Sequence, residues 1–211
     1  MKRIAVLISG SGSNLQSIID QINAGYIPAK IDLVISDRKN AFGLQRAKNE
    51  NIDTLYISKL QYPDPENFDR QIIAQLQSRK IDLIVLAGYL KILSPYFVKC
   101  FPYKIINIHP ALIPSFCGNG YYGLGVHQAI LDYGAKVSGA TVHFVDEGTD
   151  TGAIILQKSL DISENESAES LQKKVLQIEH TLLPRAIKLF CEEKLIIEEK
   201  TGSRTKIKII D

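Results

Sequence analysis

The sequence is poor in cysteine and lacks metal-ligand spacing. Its 211 residues include only Cys100, Cys117 and Cys191, an odd number with wide separations. This pattern excludes the disulfide framework of a small secreted domain and favours a reducing compartment. Because the histidines and cysteines also lack the His-x-x-x-His and Cys-x-x-Cys spacings of common zinc sites, we predict that no metal is bound.

The sequence also lacks a long apolar run. The first apolar stretch, Ile4–Ile8, is five residues long, which is short of the roughly 7–15 residues of a secretory signal. No other stretch approaches the ~20 apolar residues of a membrane helix. We therefore expect a cytoplasmic protein that does not enter a membrane.

Neither sign of charge dominates. Lys and Arg total 25 against 23 Asp and Glu, a formal net charge of +2, which is too balanced to indicate nucleic acid or anionic lipid as a partner. Hydrophobic residues make up 45% of the chain, so it is not a disordered polypeptide. At about 150 residues per domain, we expect a single domain over residues 1–211, with halves at 1–110 and 111–211. Small molecules are the expected partners, and the composition leaves the oligomeric state open.

Short β-branched runs alternate with amphipathic stretches in the first half. The runs predict buried parallel strands at Ile4–Ile8, Ile31–Ile35, Thr54–Ile57, Leu83–Ala87 and Ile105–Ile108. The intervening stretches predict helices, the first with Ser13 as its N-cap and the others near residues 41–51 and 66–78. This order indicates an α/β fold with a doubly wound, mostly parallel, Rossmann-like sheet.

The second half has a different pattern. Two β-like runs, Val137–Asp146 and Ala153–Ile162, predict a long antiparallel hairpin. Residues 167–190 predict one long helix that Pro184 kinks or shortens. The glycine-rich segment Cys117–Gly125 predicts a loop, and the tail Lys206–Ile210 predicts a short edge strand.

A turn rich in glycine and serine, Ser9-Gly-Ser-Gly-Ser-Asn-Leu-Gln16, joins the first strand to the first helix. Gly10 and Gly12 permit a tight turn with exposed backbone N–H groups, and Ser13 and Asn14 add donors at a helix N-terminus. This combination binds phosphate. Leu15 stands where the dinucleotide fingerprint needs a third glycine, so a nicotinamide cofactor fits poorly. The alternative interpretation is an ordinary strand-to-helix turn.

Polar residues end the predicted central strand, in Asn107-Ile-His109-Pro110. Asn107 and His109 share a strand face, and ligands of open α/β sheets bind beyond the carboxyl ends of strands. An amide donor beside an imidazole can stabilise an oxyanion and move a proton. The alternative is a strand-end asparagine beside a structural histidine.

The hairpin loop Asp146-Glu-Gly-Thr-Asp150-Thr-Gly152 is crowded with carboxylates. It is either a solvated turn or the source of an acid that reaches His109. We interpret His143 as structural and His180 as a surface or packing group. A nucleophilic role for Cys117 remains an alternative.

Together these motifs resemble the phosphoribosylglycinamide formyltransferase family. The similarity rests on the N-terminal loop, on Leu-Ala-Gly-Tyr-Leu-Lys-Ile-Leu at 86–93, on Asn-Ile-His-Pro-Ala-Leu-Ile-Pro at 107–114 and on Val-His-Phe-Val-Asp-Glu-Gly-Thr-Asp-Thr-Gly at 142–152. The resemblance implies formyl transfer from 10-formyltetrahydrofolate, as co-substrate, to the amine of 5-phosphoribosylglycinamide in purine biosynthesis. It implies no metal.

The resemblance also implies roles for individual residues. Asn107, His109 and Asp150 match the family's catalytic residues. Asp150 is preferred to Asp146 because the family's acid directly precedes a small residue and a glycine. Binding roles are implied for Gly12, Ser13, Asn14 and Glu179 toward the ribonucleotide, and for Leu90, Lys91, Ile92, Leu93 and Asn107 toward folate.

Two segments depart from the family pattern. Many members carry an arginine after the third strand, but Tyr62–Asn67 has none, so the contact with the folate tail is unassigned. The loop at 118–125 is longer than in short-loop members, so His127 is left outside the catalytic set. Two other activities stay open: hydrolysis of the formyl donor by water, and nucleotide binding without catalysis.

Overall fold

The computed structural model describes residues 1–199 and 204–210. The chain divides into two compact units, residues 1–107 and 108–211. Among the described residues, no helix combines the length and the apolar content that crossing a membrane requires.

The first unit is built from alternating strands and helices. Its strands are β1 (Lys2–Ile8), β2 (Ala29–Ser36), β3 (Thr54–Tyr56), β4 (Leu83–Leu86) and β5 (Ile105–His109). Its helices are α1 (Ser13–Asn23), α2 (Phe42–Asn49), α3 (Pro65–Ser78) and α4 (Pro95–Cys100). The strands pair in parallel in the order β3-β2-β1-β4-β5, which confirms the predicted strands.

Burial explains why this unit forms. Residues 4–8 of β1 have no exposed surface, as expected of a central strand that is covered on both faces. Helix α1 contacts α2, and α3 contacts α4. Right-handed crossovers from a reversing strand order produce these two helix pairs, one on each face of the sheet. The doubly wound fold class is therefore confirmed.

Two local features of this unit differ from the prediction. The N-cap of α1 is Gly12 rather than Ser13, which is the first residue of the helix. Gly12 has a φ of 71°, and a Cβ at this position would lie 2.6 Å from the Cα of Gly43, so a residue without a side chain is required there. Helix α4 was not predicted, because its six residues are too few to show a helical period.

The second unit contains the predicted hairpin and long helix. Its elements are α5 (Gly123–Asp132), β6 (Val137–Phe144), β7 (Ile154–Asp161), α6 (Ala168–Cys191), β8 (Leu195–Glu198) and β9 (Lys206–Ile209). Strands β6 and β7 are antiparallel, and α6 packs against β6 and α5. The C-terminal hairpin and helix of the predicted fold class are therefore confirmed.

Three details of this unit correct the prediction. Helix α6 continues through Pro184 to Cys191, so Pro184 does not shorten it. Leu183, Pro184 and Ile187 are buried, and their burial outweighs the lost backbone hydrogen bond. Helix α5 begins inside the predicted glycine-rich loop. The tail strand β9 pairs with β8, which was not predicted, in a separate two-stranded sheet.

Candidate active site

The strand order of the first unit reverses between β1 and β4, so the residues that follow these strands lie side by side. Ligands of open α/β sheets bind at such a point. Ser9 joins the two segments, because its N–H donates to the Gly88 carbonyl (3.0 Å) and its hydroxyl accepts from the Leu90 N–H (2.9 Å). The hydroxyl in turn donates to Asp37 (2.7 Å). The predicted phosphate turn and the predicted folate segment are therefore neighbours.

The turn from β1 into α1 packs on the start of α2. A Cβ on Gly43 would lie 3.2 Å from the Gly12 Cα and 2.4 Å from the Ile8 Cδ1, so the two glycines meet through their backbones. Gly12 has no side chain to cap α1, although the first turn of a helix leaves N–H groups without backbone partners. Ser13 and Asn14 begin this turn.

The segment after β4 exposes apolar side chains. Leu90 and Ile92 are 46% and 64% exposed, whereas Leu93 is buried. The Lys91 ammonium lies 3.5 Å from the centre of the Phe68 ring, and burial lowers the pKa of Lys91. Exposed apolar side chains on an anchored segment suit a flat aromatic ligand.

Strand β5 carries the two polar residues predicted for catalysis. Asn107, the last residue of the first unit, is half-buried, and His109, in the second unit, is 4% exposed. One residue separates them on a strand, so their side chains leave the same face.

In the second unit, one carboxylate contacts two histidines. Asp150 Oδ2 lies 3.6 Å from His109 Nδ1, and Asp150 Oδ1 lies 3.5 Å from His143 Nε2. The Gly118 N–H donates to Asp150 Oδ2 (2.9 Å). The hairpin loop and the glycine-rich loop therefore meet at this carboxylate, which is 12% exposed.

In both histidines, the ring nitrogen that points away from Asp150 donates a hydrogen bond to a backbone carbonyl. His109 Nε2 donates to the Phe116 carbonyl (2.8 Å), and His143 Nδ1 donates to the Phe144 carbonyl (2.8 Å). Since a carbonyl only accepts, both of these nitrogens carry hydrogen. When the His109 ring is neutral, its Nδ1, which faces Asp150, is therefore a lone-pair atom. A proton added to this pair binds at Nδ1 or at the carboxylate, as a proton relay requires.

Electrostatics set the charge of this cluster. Burial alone would raise the pKa of Asp150, but the His143 contact, the Gly118 N–H and the two imidazoles together hold it below its ordinary value. Burial lowers the pKa of His109, and the attraction of Asp150 and the Phe116 carbonyl offsets only part of this effect. At neutral pH the cluster therefore contains an ionised Asp150 and a neutral His109, two groups that can accept a proton.

The hairpin loop places the two candidate acids in different surroundings. Asp146 stays within its own turn, where Oδ1 accepts from the Thr151 hydroxyl (2.6 Å) and from the Gly148 N–H (3.2 Å). Asp150 has a φ of 58°, a left-handed conformation that aspartate tolerates better than most residues. The structure brings Asp150 to His109, and it holds Asp146 in the turn.

The remaining candidates have other surroundings. Glu179 is buried on α6, and His180 beside it is half-buried. Burial and the charge of Asp150 raise the pKa of the Cys117 thiol, so Cys117 is not an activated nucleophile. Within residues 1–199 and 204–210, no group of three or more His, Cys, Asp or Glu side chains is placed to hold a metal ion.

The burial of His127 predicts that the stability of the protein depends on pH. The His127 side chain is 2% exposed, and burial, together with His109, lowers its pKa to about 4. The unfolded chain takes up this proton near pH 6.5, so stability falls as the pH drops from 6.5 toward 4. Between pH 6.5 and pH 4, we expect the free energy of unfolding of His127→Gln to fall by about 2–3 kcal/mol less than that of the parent protein. Urea denaturation at several pH values measures the difference, and parallel profiles for the two proteins would contradict it.

Sequence reasoning missed the backbone part of this site. The Phe116 carbonyl and the Gly118 N–H hold His109 and Asp150 in place, but a backbone group leaves no residue-type signal. The only hint is the glycine content of Cys117–Gly125. His143, interpreted as structural, is buried and contacts Asp150, a contact that the sequence did not predict.

The chain is similar in sequence to proteins of one known family. Residues 2–187 match the formyl transferase family. Phosphoribosylglycinamide formyltransferase of Haemophilus influenzae is 44% identical over 199 residues, which are 94% of this chain and 92% of that protein. Trifunctional purine biosynthetic protein adenosine-3 of Drosophila melanogaster is 41% identical over 205 residues, which are 96% of this chain and 15% of that protein.

A solved structure agrees with these matches. Glycinamide ribonucleotide transformylase 1 from Symbiobacterium toebii has a TM-score of 0.92 and 42% sequence identity, covering 100% of this chain and 95% of that one. The family match includes the strand that carries Asn107 and His109 and the loop that carries Asp150. The resemblance predicted from the motifs is confirmed, and the chain belongs to the formyl transferase family.

Proposed function

We propose that the chain transfers the formyl group of 10-formyltetrahydrofolate to the amino group of 5-phosphoribosylglycinamide. The products are formylglycinamide ribonucleotide and tetrahydrofolate, in de novo purine biosynthesis. The observation that carries the proposal is the contact of one ionised carboxylate with two imidazoles, in a chain whose relatives are formyltransferases. Formyl transfer needs a proton to move between two nitrogens, and such a cluster can move it.

The amine attacks the formyl carbon and forms a tetrahedral intermediate with a negatively charged oxygen. In our proposal the amide of Asn107 and a protonated His109 donate hydrogen bonds to this oxygen. Because the Phe116 carbonyl holds Nε2 of His109, we assign the donation to Nδ1. The formyl group is already activated on folate, so no covalent enzyme intermediate is required.

The attacking nitrogen must lose a proton, and N10 of the folate must gain one. Asp150 contacts His109 Nδ1 at 3.6 Å, so it can accept the proton directly, through His109 or through a water molecule. The same relay then delivers a proton to N10 as the bond between the formyl carbon and N10 breaks, which releases tetrahydrofolate. Since the pKa of His109 is lowered, we propose that the imidazole takes up its proton during the reaction rather than before it.

We assign the two substrates to the neighbouring segments of the first unit. The turn Gly12–Asn14 offers N–H groups at the start of α1, where the helix dipole favours an anion such as the ribonucleotide phosphate. The segment Leu90–Leu93 offers apolar surface for the pterin. Roles for Glu179 toward the ribonucleotide and for Asn107 toward folate follow from the family resemblance.

We also propose a cytoplasmic location and small-molecule partners. Cys100, Cys117 and Cys191 are free thiols, which suits a reducing compartment. The net charge of +2 favours small substrates over nucleic acid.

Loss of formyl groups from 10-formyltetrahydrofolate, followed with and without the ribonucleotide, tests the proposed reaction. Loss that requires the ribonucleotide is the expected result. Loss that proceeds equally without it would show a hydrolase that uses water as acceptor. No loss in either assay would indicate a module that binds nucleotides without catalysis.

The combined change Ser13→Ala and Asn14→Ala is expected to raise the KM for the ribonucleotide far more than the KM for the folate. These residues begin α1 and are assigned to a phosphate that takes no part in bond making. Each charge-assisted hydrogen bond lost costs roughly 1.5–3 kcal/mol. Steady-state kinetics with each substrate varied in turn measures the effect. Equal changes in both constants would show that this turn is not the phosphate site.

A further inference from the structure

Helix α2 donates hydrogen bonds to the turn between β1 and α1, which the proposed function assigns to phosphate. Arg46 donates from Nε to the Ser11 carbonyl (2.9 Å) and from Nη1 to the side chain of Gln16 on α1 (3.1 Å). The guanidinium carbon also lies 4.9 Å from the centre of the Phe42 ring. These contacts hold the guanidinium in one orientation against the turn.

Two consecutive carbonyls of the turn therefore face α2. The Gly10 carbonyl accepts from the Gly43 N–H (3.1 Å), and the Ser11 carbonyl accepts from Arg46. Both peptide bonds are trans, and in a trans peptide the C=O and N–H groups point in opposite directions. The N–H groups of Ser11 and Gly12 therefore point away from α2. Successive N–H groups that point to one side form a concave site for an anion.

The close packing of the turn on α2 leaves its second carbonyl to be held by a side chain, Arg46. Gly12 and Gly43 contact each other through their backbones and carry no side chains that could hold the turn. The Gly43 N–H donates to the first carbonyl, and the Arg46 side chain donates to the second.

We propose that Arg46 is a positioning residue for the ribonucleotide phosphate. It acts through the Ser11 carbonyl, and its positive charge adds to the attraction of the turn for an anion. The identity of the substrate rests on the proposed function, whereas the affinity of the turn for inorganic phosphate can be measured without it. Arg46 takes no part in bond making.

Arg46→Gln tests the proposal, and Lys48→Gln is its matched control. Lys48 is exposed on the same helix, so the control removes the same charge without disturbing the turn. For Arg46→Gln we expect the KM for the ribonucleotide and the inhibition constant of inorganic phosphate to rise on the order of tenfold, the effect of one charge-assisted hydrogen bond. The kcat and the KM for 10-formyltetrahydrofolate should change less than twofold, and Lys48→Gln should match the parent protein.

Arg46→Lys separates the hydrogen bond from the charge. A lysine retains the charge but cannot hold the Ser11 carbonyl and Gln16 in a fixed fork, so an intermediate rise is expected. If thermal unfolding shows that Arg46→Gln does not fold, Arg46→Lys decides the test by the same comparison. Unchanged phosphate inhibition, or equal increases in the KM of both substrates, would overturn the proposal.

Calorimetric titration with inorganic phosphate separates this inference from the proposed function. Phosphate binding that Arg46→Gln weakens, in a protein that transfers no formyl group, would refute the function and support the inference. Formyl transfer by the parent protein, together with phosphate binding that Arg46→Gln leaves unchanged, would support the function and refute the inference.

Discussion

Asp150→Asn is expected to lower kcat on the order of 10²–10⁴-fold while the fold stays intact. Asparagine keeps an oxygen that can accept from the Gly118 N–H, and it tolerates the left-handed φ of 58° at this position. It cannot take up a proton, so the proposed proton transfer from the amine to Asp150 is lost. Turnover with both substrates saturating measures the effect, and circular dichroism checks the fold.

Asp146→Asn is the matched control for this change. Its side-chain oxygen can still accept from the Thr151 hydroxyl and from the Gly148 N–H, so the turn should persist and the loss of activity should be much smaller. If Asp146→Asn proved the more damaging of the two, Asp150 would not be the proton-transfer group.

Removing either Asn107 or His109 is expected to lower turnover by around 10²–10³-fold. Both side chains leave the same face of β5 and, in the proposed mechanism, donate to the same oxyanion. The double variant should therefore lose less than the product of the two single losses. The affinity for the ribonucleotide should change little, and the affinity for the folate should change less than turnover does, because a ground-state formyl oxygen gains less from these donors than the anion does.

A double-mutant cycle on kcat, with circular dichroism of every variant, decides this prediction. His109 is buried and its Nε2 donates to the Phe116 carbonyl, so His109→Gln, which retains a donor group, accompanies His109→Ala. Multiplicative losses would show that the two residues act independently. Misfolding of both His109 variants would favour a structural role for this histidine.

The regular elements near the site were predictable because their signals are local. The apolar run Ile4–Ile8 and the helical period of Phe68, Ile72 and Leu76 each identify a buried face within a few residues. The N-cap of α1 was not predictable in the same way. Ser13 is a good cap by residue type, but the contact between Gly12 and Gly43 joins two separate helices, and no local pattern records it.

The candidate site was likewise predictable only where its signals are local. His109 and Asp150 were assigned from a family motif, whereas the Phe116 carbonyl that fixes the His109 ring is a backbone group of a loop. The contact of His143 with Asp150 was not predicted for a related reason. Alternation along β6 places this side chain on the buried face, but only the packed hairpin loop brings Asp150 within 3.5 Å of it.

By itself, the sequence determined the α/β class, the antiparallel hairpin, the glycine turn and the family, because apolar periodicity, glycine spacing and contiguous motifs are properties of neighbouring residues. The tertiary structure decided the protonation chemistry. Whether Asp146 or Asp150 meets His109, and whether that carboxylate is ionised, depends on burial and on N–H groups from another loop. Desolvation and hydrogen bonding act through space, so their effect on a pKa arises only when distant segments of the chain are packed together.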